Sequence, residues 1–403
     1  MRKISFSPPD MSELEIEEVV AAIRSGWITT GPRTKQFEKD IAEYIGLKHC
    51  VCLNSDTAAL EMTLRVLGVG AGDEVIVPAY TYTASASVVT HVGATLVLVD
   101  TKPGTYEIDC EKLTDAITDR TKVVIPVDIG GLMCDYDAIF TAVERKKHLY
   151  HPTTPLQKCF DRPIVTADAA HSFGASYHGK KSGCLADFTT FSFHAVKNLT
   201  TAEGGAVVWR EREGMDSEAL YREYQLMSLH GQSKDARAKL QPGAWEYDIV
   251  YPAYKCNMTD IMAAIGLKQL ERFDGLMARR RQISDIYDRV LLPLGIERLA
   301  HKQANRQGNY HLYLTRVPGM TPEQRNHVII AMAERGVACN VHFKPLPLLT
   351  AYRNLGFDIM DYPNAQAQYE NEITLPMHTL LTDEDAQYVA EQFRACLKAQ
   401  GLC

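Results

Sequence analysis

Short apolar runs alternate with longer amphipathic stretches through the first half of the chain. The apolar runs have the length of β-strands and are bounded by turn residues; they occupy residues 49–53, 74–77, 95–99, 122–127, 163–167, 188–193 and 206–209. Stretches with helical spacing lie between many of them, at residues 57–67, 84–91, 109–117 and 136–146. Strands connected by helices usually form a parallel sheet with helices on both faces. We therefore predict an α/β fold around a mixed, mostly parallel seven-stranded sheet sandwiched by helices.

The two ends of the chain show a different order of elements. At the N-terminus, Ser12 and Glu15 form a capping box that opens a first helix, and a second helix is predicted at residues 35–45. The C-terminal part has a long helical stretch at 259–292, strand-like runs at 310–316 and 338–342, and helical patterns at 322–335 and 383–399. We predict a large domain over residues 1–284 and a small α+β C-terminal domain over residues 285–403.

Composition and charge exclude several classes of protein. Hydrophobic residues make up 46% of the 403 positions and charged residues 23%, as in ordinary globular proteins. The net charge is −7 and no long basic run occurs, which argues against a nucleic-acid partner. The ten cysteines are scattered without a CxxC pair, and no apolar segment has the length of a signal peptide or membrane span. We expect a cytoplasmic protein that binds neither membrane nor metal.

Three polar features lie where predicted strands end. Asp168 follows the apolar run at 163–167, and an acid at the carboxyl end of a parallel strand lies in the ligand crevice of the sheet. Ser192 and Lys197 follow another strand and place a hydroxyl and an amine five residues apart. Residues 54–59 connect the first strand to a helix, whose exposed N–H groups form an anion-binding site.

Together these features suit pyridoxal 5'-phosphate (PLP), which carries a phosphate, a pyridine nitrogen and an aldehyde. Each feature alone is weak, because an aspartate at a strand end is often a helix cap and a lysine after a strand usually faces solvent. Their order along the chain predicts a PLP site. In that site Lys197 carries the cofactor as a Schiff base.

The segment at 191–205, FSFHAVKNLTTAEGG, resembles the Schiff-base lysine segment of the DegT/StrS-type sugar aminotransferases. Residues 168–175 resemble the Asp-Ala-Ala-Gln/His segment of the same family, and residues 25–32, which include Trp27, resemble its N-terminal loop. The resemblance runs from about Ile4 to about Asp385. It implies a fold-type-I PLP-dependent transferase. The sequence FHAVKN at residues 193–198 most resembles that of the nucleotide-sugar aminotransferases of the UDP-4-amino-4-deoxy-arabinose type.

The resemblance also implies roles for individual residues. Lys197 and Asp168 would be catalytic, Lys197 by forming the imine and moving the proton and Asp168 by pairing with the pyridinium nitrogen. The cofactor-binding residues implied by the family, besides these two, are Thr57, Ala58, Tyr82, His171, Ser192 and Asn257. Thr57 and Ala58 would bind the phosphate through backbone N–H groups, with the Ser192 hydroxyl.

Several of these assignments have alternatives. Tyr82 would stack on the pyridine ring, with Tyr80 as the other candidate, and His171 would lie near that ring. Trp27 either flanks the sugar substrate or only holds its own loop together, and Thr30 of that loop is the second substrate candidate. Asn257 would reach the phosphate in the other subunit of a homodimer; otherwise it caps the helix that begins near residue 259.

Two features depart from the family. Asp56 stands where relatives often have a small residue, and its carboxylate would repel a phosphate. We therefore expect Asp56 to point away from the phosphate or to cap the helix. The polar, proline-containing stretch at 148–162 is longer than expected, and we interpret it as an inserted surface loop or lid.

The function implied is transfer of an amino group from L-glutamate, which leaves as 2-oxoglutarate, to a nucleotide-linked keto-sugar in amino-sugar and polysaccharide biosynthesis. A sugar dehydratase of the same family would replace Lys197 with histidine. An amino-acid transaminase or cysteine desulfurase would need an arginine for the substrate carboxylate, for which Arg353 is the nearest candidate. A non-catalytic ligand-binding regulator would retain the fold without turnover of glutamate.

Overall fold

The computed structural model describes residues 2–233 and 246–403, and its central sheet confirms the seven predicted strands. These are β1 (Cys50–Leu53), β2 (Glu74–Pro78), β3 (Thr95–Val99), β4 (Thr121–Val124), β5 (Ile164–Asp168), β8 (Phe188–Ser192) and β9 (Gly205–Trp209), with two short strands, β6 (Ser176–Tyr177) and β7 (Lys180–Lys181), outside this sheet. Their spatial order is β1-β9-β8-β5-β4-β2-β3. β9 runs antiparallel to both neighbours, whereas the pairs from β8 to β3 are parallel. The predicted mixed, mostly parallel sheet is confirmed.

Helices cover this sheet and extend into the C-terminal part of the chain. They are α1 (Glu13–Arg24), α2 (Pro32–Ile45), α3 (Asp56–Val66), α4 (Ala84–His91), α5 (Cys110–Ala116), α6 (Tyr136–Arg145), α7 (Ser217–Ser228), α8 (Asp260–Leu291), α9 (Pro322–Glu334), α10 (Thr350–Asn354), α11 (Pro363–Glu370) and α12 (Asp383–Ala399). The predicted capping box of α1 is present, with the Ser12 amide 2.7 Å from the Glu15 carboxylate. Within the described residues, every helix is too short or too polar to cross a lipid bilayer.

A second apolar core lies in the C-terminal part of the chain. Here β10 (Glu297–Arg298), β12 (Tyr313–Arg316) and β13 (Glu372–Leu375) form an antiparallel sheet. In a third sheet, β11 (Arg306–Gln307) pairs with β6, which pairs in turn with β7. The core contains residues of α8, α9 and α12, among them Ile283, Val328 and Phe393. Ile4 joins it from the N-terminus by bridging to Val337. The predicted boundary between residues 284 and 285 lies inside α8, which continues without interruption to Leu291. The division into two domains at this point therefore stays a prediction.

The prediction of a strand at residues 338–342 is wrong. This segment makes only an isolated bridge between Asn340 and Thr374. The amide of Val341 donates to the side chain of Asn340, and the amide of His342 donates to the buried carboxylate of Glu372 at 2.8 Å. Side chains therefore take the backbone hydrogen bonds that a strand neighbour would have made, and the chain turns toward the sheet.

The stretch at 148–162 packs against the body of the protein. Gln157 is fully buried and donates to the carbonyl of Leu67 at 2.8 Å, beyond the end of α3. Arg162 makes a buried two-pronged ion pair with Asp187 at 2.7 and 3.0 Å. This segment is a packed surface loop, and the interpretation as a lid is not supported.

One buried carboxylate connects the N-terminal loop to the long helix. Asp260, the first residue of α8, is fully buried and accepts from the amides of Gly31 and Thr34 at 2.8 and 2.9 Å. It also accepts from the amide of Arg33 at 3.1 Å and from the Thr34 hydroxyl at 2.8 Å. The amides belong to the start of α2, whose first N–H groups have no partner within the helix. Asp260 therefore fixes the position of the loop that precedes α2.

We expect Asp260→Ala to reduce the free energy of unfolding by about 3 kcal/mol, because buried amides lose a charged acceptor. Asp260→Asn keeps one acceptor oxygen and should lose less. Asp285→Ala, at an exposed position on the same helix, is the matched control and should change stability by less than about 0.5 kcal/mol. Urea unfolding followed by circular dichroism measures the three variants. Equal stability of Asp260→Ala and Asp285→Ala would show that α2 is held by other contacts.

Candidate active site

A cleft of about 380 Å³ lies at the carboxyl ends of β5 and β8. It is bounded by the start of α3, the turn after β2, the loop after β8 and two segments of the C-terminal part. The predicted site residues that line it are Thr57, Tyr82, Asp168, His171, Ser192 and Lys197. Side chains that are distant in sequence thus meet where parallel strands end, as expected for an α/β sheet.

The predicted residues Trp27, Thr30, Ala58 and Asn257 do not line this cleft within one chain. The amide of Ala58 donates to the Ser55 hydroxyl at 3.1 Å, which caps α3. The indole N–H of Trp27 donates to the carbonyl of Thr30 at 3.1 Å, so the ring holds its own loop together. Asn257 donates to the Thr30 hydroxyl at 2.5 Å. It does not cap α8, because Thr259 does so by accepting from Met262.

The two candidate stacking tyrosines differ in exposure. Tyr80 is fully buried and donates its hydroxyl to the carbonyl of His342 at 2.7 Å. Tyr82 is 62% exposed and lies on the wall of the cleft, with its ring 5.9 Å from that of Phe343. Of the two, Tyr82 is the ring that a molecule in the cleft can contact.

Asp168 is buried at the floor of the cleft and is well hydrogen-bonded. It accepts from the Ser85 hydroxyl at 2.6 Å and from the amide of Ala170 at 3.1 Å. Burial raises the pKa of Asp168 above its usual value, while Ser85, Ala170 and the charge of Lys197 oppose this rise. The sequence did not indicate Ser85, because a serine in an amphipathic helix carries no local signal of a buried acceptor.

Lys197 lies in a tight turn after β8 and faces Asp168 across the cleft. The turn is closed by backbone bonds from Lys197 to His194 and from Thr201 to Phe193, both 2.9 Å. Burial lowers the pKa of the Lys197 amine to about 8, and the carboxyl groups of Asp56 and Asp168 oppose that shift. A substantial fraction of this amine is therefore neutral near physiological pH.

Besides His194, three buried histidines border the cleft, and burial favours their neutral forms. His171 accepts from the amide of Gly130 through Nδ1 at 3.1 Å, so its Nε2 carries the proton. Burial lowers the pKa values of His171 and His311 and lowers that of His342 to about 3. His342 contacts the Thr374 hydroxyl through Nδ1 at 2.9 Å. Sequence reasoning missed His311 and His342, because both come from the C-terminal part and His342 stood in the segment wrongly predicted as a strand.

The sequence left two possibilities for Asp56, which were to point away from the phosphate site or to cap α3. The structure has the first. Ser55, not Asp56, caps α3. The carboxyl group of Asp56 is turned toward Asp168 and Thr190 at the floor of the cleft, away from the first turn of α3. It is therefore separated from the helix start that would bind an anion.

These groups fit PLP. A buried carboxylate for the pyridine nitrogen, a partly neutral lysine for the aldehyde and an open helix start for the phosphate border one cleft. The start of α3 lies directly on β9, since a Cβ at Gly205 would lie 2.3 Å from the amide nitrogen of Asp56. Fold and cleft together place the protein among the fold-type-I PLP-dependent enzymes.

Comparison with known proteins identifies the family. Residues 9–394 match the DegT/DnrJ/EryC1/StrS aminotransferase family. The chain is 37% identical to "Spore coat polysaccharide biosynthesis protein SpsC" of Bacillus subtilis, over 98% of this chain and 97% of that protein. It is 54% identical to the PLP form of "Putative sugar aminotransferase Spr1654" from Streptococcus pneumoniae, with a TM-score of 0.96 and 99% of each chain covered. Helicobacter pylori PseC, "aminotransferase involved in the biosynthesis of pseudoaminic acid", is 27% identical with a TM-score of 0.87, over 99% of this chain and 100% of that one.

The chain therefore belongs to the DegT/DnrJ/EryC1/StrS aminotransferase family. It is a PLP-dependent sugar aminotransferase. The fold, the cofactor and the class of enzyme expected from the sequence are confirmed.

The depressed pKa of Lys197 has a measurable consequence. We expect the rate at which cofactor-free protein reacts with PLP to rise with pH and to level off with a midpoint near pH 8, because only the neutral amine attacks an aldehyde. Stopped-flow absorbance across pH 6 to 10 measures this rate. In Asp168→Asn the midpoint should fall, because a carboxylate that favours the ammonium form is removed. A midpoint at the ordinary lysine value would contradict the assignment.

Proposed function

We propose that the protein transfers the amino group of L-glutamate to a nucleotide-linked keto-sugar and releases 2-oxoglutarate. The observation that carries the proposal is the meeting of a partly neutral Lys197 and a buried Asp168 in one cleft. The likeness of the 191–205 segment to enzymes that aminate 4-keto sugars supports the choice of substrate. The biosynthetic role of the Bacillus subtilis relative supports a place in polysaccharide formation.

Each side chain has a proposed task. PLP, when bound, supplies the electron sink for breaking the C–H bond next to the transferred nitrogen. Asp168 holds the proton of the pyridine nitrogen by its negative charge. Lys197 would hold the cofactor through its side-chain nitrogen, and as a neutral amine it would take a proton from one carbon and deliver it to another.

The remaining cleft residues bind and orient. Thr57, Ala58 and Ser192 would hold the phosphate by N–H and hydroxyl groups, and the Ala58 amide would exchange the Ser55 hydroxyl for that ligand. Tyr82 would stack on the pyridine ring, and His171 would lie near it. Trp27 and Thr30 are proposed to approach the sugar from the N-terminal loop.

The rival functions lack specific support in the cleft. A dehydratase of this family would not carry Lys197. An amino-acid transaminase would need a cation for the substrate carboxylate, but Arg353 lies exposed on α10 and donates to Thr350. Among the described residues, no arginine lines the cleft. A regulator without turnover would not need a partly neutral Lys197 and a buried Asp168 in one cleft.

Turnover tests the proposal directly. Incubation of the holoenzyme with glutamate and a set of nucleotide-linked keto-sugars should yield 2-oxoglutarate and an amino-sugar in equal amounts, measured by mass spectrometry. Borohydride reduction should fix the cofactor on the peptide that contains Lys197. Lys197→Ala should lower turnover by roughly a thousandfold or more, whereas the exposed-lysine variant Lys180→Ala should match wild type. A label on another lysine would refute the assignment of Lys197.

We further propose that the enzyme works as a homodimer in the cytoplasm. Asn257 lies outside its own cleft, and large apolar side chains at Tyr247, Ile249, Val250 and Tyr254 are exposed in the segment before it. An exposed apolar surface of this kind is typical of a protein interface. All ten cysteines are free, which supports a reducing compartment.

Mixing of subunits tests whether Asn257 acts across this interface. We expect the Lys197→Ala and Asn257→Ala proteins to be inactive or weakened alone. After subunit exchange, a shared site predicts that one of the two sites in each mixed dimer is intact. Each mixed dimer should then have about half of the wild-type activity, and a randomly exchanged sample, in which about half of the dimers are mixed, should reach about a quarter. If Asn257 serves only its own chain, every site keeps one defect and activity stays at the level of the parents. Light scattering of the same samples reports the oligomeric state.

A further inference from the structure

Asp56 is a buried acid at the cleft that the proposed mechanism does not use. It is the first residue of α3 and only 7% exposed. The close approach of β9 at Gly205 holds its backbone against the sheet, and its carboxyl group faces Asp168 on β5 and Thr190 on β8. Asp168 and Thr190 are paired residues of these two strands. The side chain of Asp56 therefore reaches the floor of the cleft beside the carboxylate assigned to the pyridine nitrogen.

The hydrogen bonds around the two acids differ. Asp168 accepts from Ser85 and from the amide of Ala170, which stabilise its ionised form. Among the described residues, Oδ1 of Asp56 is buried without any hydrogen-bond partner. An ionised carboxylate in this position would leave Oδ1 without a donor and would face a second negative charge. A carboxylic acid in this position would instead have an acceptor in Asp168.

The balance of charged groups in the cleft also favours a protonated Asp56 and an ionised Asp168. Two carboxyl groups, Asp56 and Asp168, face one amine, Lys197. Burial and the charge of Asp168 raise the pKa of Asp56 well above its usual value, while Thr190 and Lys197 oppose the rise. Two buried carboxyl groups in contact share a proton as a pair, because both cannot ionise at low cost. The acid with fewer donors, Asp56, is the one that keeps it.

We propose that Asp56 is a positioning residue that stays protonated and donates a hydrogen bond to the carboxylate of Asp168. A carboxylate has roughly four lone-pair sites. Ser85, Ala170 and Asp56 would occupy three of them and leave the fourth for the pyridine N–H. The proposal rests on the proposed role of Asp168. It adds that the orientation and basicity of Asp168 depend on a neighbouring neutral acid.

Two substitutions at one position separate a proton donor from a charge. Asp56→Asn keeps the shape and an N–H donor but cannot ionise, whereas Asp56→Ala removes the donor. We expect the cofactor dissociation constant of Asp56→Asn to stay within about twofold of wild type and that of Asp56→Ala to rise about tenfold. Equilibrium dialysis measures binding, and the pH midpoint of the visible absorption band of the bound cofactor should move only in Asp56→Ala. If the two variants behave alike, or if Asp56→Asn binds PLP more tightly than wild type, the proposal is wrong.

The cofactor-free protein provides a readout that needs no loaded site. In the unfolded chain an aspartate loses its proton near pH 4, whereas the folded protein would retain that of Asp56 at higher pH. The folded state then binds more protons, so its stability falls as pH rises through this window. The melting temperature of wild type should therefore fall relative to that of Asp56→Asn between about pH 5 and pH 7. A constant difference would mean that Asp56 is ionised in the folded protein, and it would overturn the proposal.

The variant Asp168→Asn separates a failure of the proposed role of Asp168 from a failure of the proposed role of Asp56. If it binds PLP as wild type does, the role of Asp168 fails and the proposal for Asp56 fails with it. If Asp168→Asn weakens binding while Asp56→Asn and Asp56→Ala are indistinguishable, only the proposal for Asp56 fails.

Discussion

The electrostatic attraction between Lys197 and Asp168, which line the same cleft, is the constraint on which the site depends. Lys197 and Asp168 are both removed from water, where each would be strongly solvated, and each compensates the other. Burial pushes the amine toward its neutral form and the acid toward its protonated form, but the attraction between them limits both shifts. The result is an amine with a pKa of about 8 in the same cleft as a buried acid whose rise in pKa is opposed by Ser85, Ala170 and Lys197. A partly neutral amine and a carboxyl group that is well supplied with donors suit chemistry on PLP.

The order of the strands in the central sheet explains how Lys197 and Asp168 come to line the same cleft. Asp168 ends β5 and Ser192 ends β8, and these strands are parallel neighbours. Their carboxyl ends therefore lie at the same edge, and the turn after β8 brings Lys197 back over Asp168. The antiparallel β9 returns the chain beneath the start of α3, where Gly205 allows the two backbones to touch. Phosphate site, acid and amine are thus positioned by one sheet edge.

Much of this arrangement could be predicted from the sequence, because local patterns determine it. The apolar runs gave the strands of the central sheet, and the position of Asp168 and Lys197 directly after two of them placed both in the crevice. Contacts over long sequence distances could not be predicted. Ser85 reaches Asp168 from a helix 83 residues earlier, and His342 reaches the cleft because its amide bonds to Glu372 instead of to a strand. The direction of the Asp56 side chain likewise depends on a neighbour in space.

The histidines show how the remainder of the cleft stays compatible with this charge balance. The side-chain amide of Asn198 donates through Nδ2 to the backbone carbonyl of Asn309 at 3.0 Å. This leaves Oδ1 of Asn198 as the acceptor for Nδ1–H of His311 at 2.9 Å. The Thr374 hydroxyl donates to Glu372 at 2.6 Å and so accepts from Nδ1–H of His342. Each imidazole is fixed in one neutral tautomer by a group behind it. These rings can offer hydrogen bonds without adding charge, so the protonation of Lys197 depends on its burial and on the carboxyl groups of Asp56 and Asp168.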